Sequence, residues 1–186
     1  MGLIQQLRRN LLPWNRHERA GFTLYGQLVA AAREPALYGE LGVPDTLDGR
    51  FDLVGLYAAL LIRRLRALAA PGPTLAQAVF DAMFSDMDTN LREMGVGDLS
   101  VGRKVREMWE AFHGRAGAYE AALAAGDATT LASALARNVW RGAAPADAPA
   151  QLARLTLGQD AFLATQDIAS FAAGQVRFLA FADMRP

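Results

Sequence analysis

Apolar positions recur at three- and four-residue intervals along most of the chain, the signature of helices that bury one face. Leu3, Ile4, Leu7 and Leu11 share one side of a short first helix, which Pro13 ends because proline lacks the amide that a continuing turn needs. A second helix is expected over Glu18 to Arg33, with Phe22, Tyr25, Leu28 and Val29 facing inward. The stretch EPALYGELGVPDT is broken by Pro35, Gly39, Gly42 and Pro44. From Phe51 to Leu68 apolar residues surround most of the first three turns, which marks a central buried helix. Arg63, Arg64 and Arg66 sit in its last turns, where they complement the negative end of the helix dipole.

Thr74 and Gln77 have the spacing of a capping box. Leu75, Val79, Met83, Met87, Leu91 and Met94 then form one stripe, with Asp81, Ser85, Asp88 and Arg92 opposite. Gly95 suits the left-handed position just past a helix end. Val101, Val105, Met108, Trp109 and Phe112 repeat at helical spacing, leaving Arg103, Arg106, Glu107 and Glu110 outside. HGRAG is expected to bend the chain before a short helix that carries Tyr119 and Leu123 and ends at Gly126. Leu131, Leu135 and Val139 mark another helix, GAAPADAP (142–149) reads as a linker, and a last helical stretch runs to Ala182, kinked near Gly158 and Gly174. No internal repeat and no alternation of period two is present. The fold class is therefore all-α: a single-domain multi-helix bundle with a central buried helix and a helix–turn–helix corner. Its expected parts are a short amphipathic helix (1–16), a main helical domain (17–141), the linker (142–149) and a C-terminal helical segment (150–186) packing on the same domain.

Composition narrows the function. At 52 % apolar over 186 residues, the chain is globular. Nineteen basic residues balance nineteen acidic ones, so no global field draws nucleic acid or an anionic membrane; either would need a local patch such as Arg63–Arg66. The absence of cysteine removes disulfides, thiolate metal sites and thiol nucleophiles, and two histidines are too few for a histidine-rich metal site. The longest apolar run, Leu53 to Ile62, is about half the roughly 20 residues a spanning helix needs. The opening residues lack the apolar core of a secretory signal, and Gln6 stands where a myristoylation signal has Ser or Thr. The first helix, with Arg8, Arg9 and Arg16 nearby and Trp14 at its end, could pack on the domain or lie on a membrane surface.

GVGDLSVGRK (95–104) has the look of a phosphate loop, but such a loop needs an entering strand, and here a helix enters. Arg103 and Lys104 also stand where Lys and a hydroxyl are required. Asp86, Asp88 and Asn90 open an EF-hand pattern that fails at Leu91 and Gly97, where Gly and Glu are needed. The carboxylates of this helix lack the Glu-x-x-His partners of a diiron bundle. Ser85 and Ser100 have no nucleophile setting; His113 is expected at the end of the Val101–Phe112 helix and His17 in solvent. No catalytic, cofactor-binding or metal-binding residue emerges.

The junction is better read as a corner. Gly95 and Gly97 permit the turn, Asp98 or Ser100 caps the next helix, and Gly102 and Gly114 are further turn positions. Asp81, Asp86 and Asp88 then lie beside Arg103, Lys104 and Arg106 as a mixed-charge candidate surface for a partner, to which Arg92, Glu93, Asp98, Arg115 and Tyr119 are added. A different class of reading places a quinone or lipid in an interior pocket beside Trp109 and Tyr57.

The blocks DMDTNLREMGVGD (86–98), Val101 to Met108, and Gly114-Arg115 with Ala118-Tyr119 resemble the ubiquinol–cytochrome c chaperone family. The resemblance is strong from Phe51 to Leu123 and weaker from Tyr25 to Asp48, departs at Gly117, and does not extend to the tail beyond the linker. It implies a non-enzymatic, all-helical assembly factor, without a cofactor, that binds newly made cytochrome b during assembly of respiratory complex III. The same resemblance implies a place in the bacterial cytoplasm, peripheral to the inner membrane, or on the matrix side in a eukaryote; the amphipathic first helix offers residues 1–14 as the candidate for membrane contact. Mitochondrial members also associate with the ribosome and a small partner protein, which a bacterial chain need not keep. No specific nucleic acid is implied.

Overall fold

A computed structural model describes residues 16–184, so the expected first helix lies outside the described residues except at Arg16. All regular structure among them is helical, in chain order α1 (Arg16–Ala32), α2 (Pro35–Gly39), α3 (Leu47–Arg66), α4 (Gly72–Glu93), α5 (Asp98–Ala125), α6 (Ala128–Val139), α7 (Ala148–Ala164), α8 (Ile168–Ala172) and a closing 3-10 turn, Phe181–Met184. The α3 helix is the axis of the bundle, touching α1, α4, α5, α6 and α7. Its buried residues run from Gly49 to Leu65, which is why its sequence is apolar on most sides.

Two glycines set the close approaches around this axis. The α3 helix starts earlier than the apolar pattern suggests, because Thr46 caps it by accepting the Gly49 amide at 3.1 Å. A side chain at Gly49 would come within 2.0 Å of the Pro44 carbonyl oxygen. At Gly21, a Cβ would lie 2.5 Å from that of Ala78, so α1 and α4 meet there at backbone distance. One turn on, Tyr25 donates to Asp86 at 2.7 Å and ties the same two helices.

Several local expectations are corrected. The capping box at Thr74 does not form, because proline in the first turn starts α4 at Gly72, and Gln77 donates to Asp81 at 2.8 Å instead. HGRAG does not bend the chain: α5 continues through Gly114 and Gly117 for 28 residues. Glycine weakens a helix by about 1 kcal/mol without breaking its hydrogen-bond ladder, and Phe112, Tyr119 and Leu123 pack on either side of the pair. Gly126, with φ +64°, ends α5, and Asp127 caps α6 by accepting the Thr129 and Thr130 amides.

Beyond α6 the chain stays tied to the core. Trp140 donates to the Gly42 carbonyl at 3.0 Å, and α7 begins at a buried Ala148, inside the expected linker. The expected tail helix running to Ala182, kinked near Gly158 and Gly174, is corrected too. The α7 helix passes Gly158 without a break, but α8 is only five residues long, Gly174 (φ +76°) follows it, and residues 175–180 are not helical.

Candidate docking surface

The α4–α5 corner is built by a Schellman turn. Gly95, at φ +80°, sends its amide to the Arg92 carbonyl at 2.9 Å, and Val96 reaches back to Leu91 at 3.0 Å. Gly97 then stands as the N-cap of α5 without any side-chain cap. Asp98 and Ser100 are therefore not caps. The Asp98 carboxylate is held instead by Arg92, which also grips Asp88 at 2.6 Å, so one guanidinium staples the end of α4 to the start of α5. Arg103 pairs with Glu107 at 3.0 Å one turn along, Lys104 is half-buried, and Glu93 is exposed.

Apolar groups project among these charges, and two expectations are corrected: Met94, placed on the α4 stripe, and Trp109, placed on the apolar side of α5, are both exposed. Leu99 is fully exposed and Met94 is 52 % exposed, both at the apex. Met94 sits at the C-cap of α4, past the last buried residue Leu91, and Leu99 in the first turn of α5, before the first buried residue Val101. Further down α5, Trp109 is 45 % exposed, and His113 lies over it with ring centroids 4.0 Å apart. The His113 Nδ1 donates to the Trp109 carbonyl at 2.9 Å, so this histidine is inside a helix and not at its end. His17 is half-buried in the first turn of α1, not in solvent.

The other expected members of the surface are dispersed. Asp81 is exposed on α4 and bound to Gln77, while Asp86 is half-buried under the Tyr25 hydroxyl. Burial and the adjacent Asp86 carboxylate push the Tyr25 phenol well above its usual range. Gly102 and Gly114 are helical, with nothing within 4 Å of where a Cβ would stand, so neither is a turn. Arg115 and Tyr119 belong to the interior. Arg115 pairs with the Asp52 carboxylate, which is 1 % exposed and also accepts from Arg141 at 2.8 Å. Burial raises the Asp52 pKa in spite of both arginines. Tyr119 is 2 % exposed, and burial pushes its phenol up to about 12.

The pocket expected beside Trp109 and Tyr57 is not formed. Tyr57 is buried against Phe178, with ring centroids 5.3 Å apart, and the open groove that the structure shows is lined by neither residue. That groove, about 310 Å³, lies between α3 and α5 along Leu56, Leu60, Arg63, Phe112 and Glu120. Nor is the Arg63–Arg66 cluster an open basic patch. Arg63 bridges Glu120 at 3.0 Å and Asp160 at 2.8 Å, and Arg64 donates to the Gln166 carbonyl at 2.9 Å. Among the described residues there is no group of acidic or histidine side chains suited to a metal ion, and no helix long and apolar enough to cross a membrane.

The sequence pattern of the ubiquinol-cytochrome C chaperone family matches residues 39–178, three-quarters of the chain and both arms of the corner. The chain belongs to this family. Its members are chaperones of ubiquinol–cytochrome c reductase assembly, and this chain is one of them. The crystal structure of the Cbp3 homolog from Brucella abortus is similar over 98 % of this chain and 99 % of that one, with a TM-score of 0.83 and 32 % identity. No curated protein matches the chain. The family match runs past the linker to residue 178, which corrects the expectation that the tail lies outside the resemblance. Packing explains why: Leu152, Leu155, Leu163 and Phe171 are part of the buried core.

Proposed function

We propose that this chaperone acts without catalysis, binding newly made cytochrome b at the α4–α5 corner while the reductase is assembled. The observation that carries the reading is the apex itself. Leu99 and Met94 are exposed within a frame of paired charges, Asp88–Arg92–Asp98 and Arg103–Glu107. Exposed apolar groups inside a polar rim are the composition of a protein-docking patch. A client emerging from a membrane offers apolar helix ends and charged flanks, which such a patch complements in both respects.

The place of action is the cytoplasmic side of the inner membrane in a bacterium, or the matrix side in a eukaryote, and residues 1–14 supply the peripheral contact. Association with a ribosome or a small assembly partner is an extension of the same reading.

Charge reversal at Asp86 would disturb its bond to Tyr25, so the decisive variant is Leu99→Glu with Lys104→Glu. Cytochrome b should co-purify with the wild-type chain from gently solubilised host membranes. It should be lost with the variant, whose melting temperature stays unchanged because Leu99 packs on nothing. Retention of cytochrome b by the folded variant would sink the corner as its docking site.

A further inference from the structure

Residues 174–181 cross the bundle as a strap held almost entirely through its own backbone. Gln27 donates to the Gly174 carbonyl and accepts the Val176 amide, each at 2.8 Å. Gln166 does the same to Arg177, donating at 2.8 Å and accepting at 2.9 Å. Gln159 repeats it at Leu179, at 2.7 and 3.0 Å. The Glu34 carboxylate then accepts the Phe181 amide with both oxygens at 3.0 Å. Both backbone groups of Arg177, and again of Leu179, turn to the same side, which is the two-residue alternation of an extended chain.

A carboxamide offers one N–H and one C=O side by side, the same pair that a neighbouring β-strand would offer. Three carboxamides, from α1, from α7 and from the connection between α7 and α8, therefore stand in for a strand, and they read backbone without regard to sequence. Their own position demands this partner. Gln159 is 0 % exposed and Gln166 is 8 % exposed, and a buried carboxamide without hydrogen bonds is strongly unfavourable. Side-chain preference enters through Val176 and Phe181, which are buried, through Phe178, which lies on Tyr57, and more weakly through Arg177, whose guanidinium stands 5.9 Å from the centre of the Phe162 ring. The Arg177 side chain is exposed.

We propose that this groove is a binding site for extended apolar segments of other polypeptides, and that residues 174–181 are its resting occupant. The groove requires an extended backbone with bulky apolar side chains two and five residues apart, as Val176, Phe178 and Phe181 provide, and the strap is one such segment. Tethering gives the strap its advantage through a high effective concentration, so an incoming peptide wins as the strap's anchors are weakened. Gly174, at φ +76°, is the pivot between α8 and the strap. This inference is independent of the reading of the α4–α5 corner, which lies on other elements.

The test uses the full-length chain and a fluorescent peptide with the sequence of residues 174–183. In a Val176→Ala/Phe181→Ala variant the peptide should bind with one-to-one stoichiometry, at least about tenfold tighter than to the wild-type chain. Peptide N-methylated at the positions of Val176, Arg177 and Leu179 should lose about tenfold or more, because the Gln acceptors then meet no donor. Replacing the peptide's arginine should weaken binding far less than N-methylation does, because that side chain contributes only its exposed contact with the Phe162 ring. Absence of saturable binding to a folded variant, or indifference to N-methylation, would overturn the proposal. Should the variant not fold, amide hydrogen exchange on the wild-type chain decides. The Val176, Arg177 and Leu179 amides must open well before those of α3. If they open only with global unfolding, the strap is a fixed part of the fold and the site is not exchangeable.

Discussion

At the scale of single residues, Asp52 is the point where electrostatics and packing oppose each other. Its carboxylate receives two arginines, from α5 and from just after α6, yet burial outweighs them and the pKa lies above the ordinary 3.8. A carboxyl whose folded pKa is raised contributes stability that is fully present below the unfolded value and is lost as pH rises through the folded value. Asp127 and Asp167 behave in the opposite sense. Their helix-capping bonds lower their pKa values, so what they contribute is present above the ordinary value and fades as pH falls through the folded one. Replacing Asp52 by Asn should therefore separate the two effects. As pH falls from neutral toward 3.8, the melting temperature of the wild-type chain should rise relative to that of Asp52→Asn. A constant gap across that window would mean that burial and the arginines cancel, and a wild-type chain that loses stability relative to Asp52→Asn as pH falls would mean that the arginines outweigh burial.

At the scale of elements, two kinds of glycine make opposite predictions. Gly21 stands where α1 and α4 touch, and an added methyl would meet Ala78 at 2.5 Å, between helices that also carry the Tyr25–Asp86 bond. Gly21→Ala should lower stability by about 1–3 kcal/mol in urea denaturation, because a close-packed crossing cannot absorb a methylene without shifting. Gly114 and Gly117 have open space around them within α5, so Gly→Ala there should raise stability by about 0.5–1 kcal/mol each. A loss at either position would mean that α5 is not the continuous helix described. The same glycines explain how much of the fold was legible in the sequence. The buried α3 and the α4 stripe from Leu75 to Leu91 were readable, since burial on a helix writes itself as apolar spacing. HGRAG suggested a bend because glycine marks both turns and exposed helix positions, and only the packing of Phe112 and Tyr119 distinguishes the two. The Gln-clamped strap was not readable, because each glutamine and its backbone partner lie between 11 and 149 residues apart. At the corner, the glycine turn and the Asp88–Arg92 pair were legible from local spacing. The commitment of Arg115 and Tyr119 to the interior was not, since Asp52 and Asn138 lie on distant helices.

At the scale of the whole molecule, the question is whether the segment after α6 is an appendage or part of one cooperative unit. The composition of residues 142–149 argues for an appendage, as a linker rich in Ala and Pro would. Packing argues the other way. Arg63 in α3 holds Asp160 in α7 and Glu120 in α5 together, Trp140 is pinned to Gly42, and α7 contributes Leu152, Leu155 and Leu163 to the shared core. Interactions that converge from both sides of a connection make its two flanks unfold together, because losing either exposes the apolar surface of the other. A variant with Trp140 as the sole tryptophan (Trp14→Phe, Trp109→Phe) reports directly on that junction. Its fluorescence and far-UV circular dichroism should trace a single coincident urea transition, with the same midpoint and the same slope. An earlier fluorescence transition would mean that α7 leaves the bundle before α3 to α5 unfold. The shared core would then be weaker than the contacts of Arg63, Trp140 and Leu155 imply.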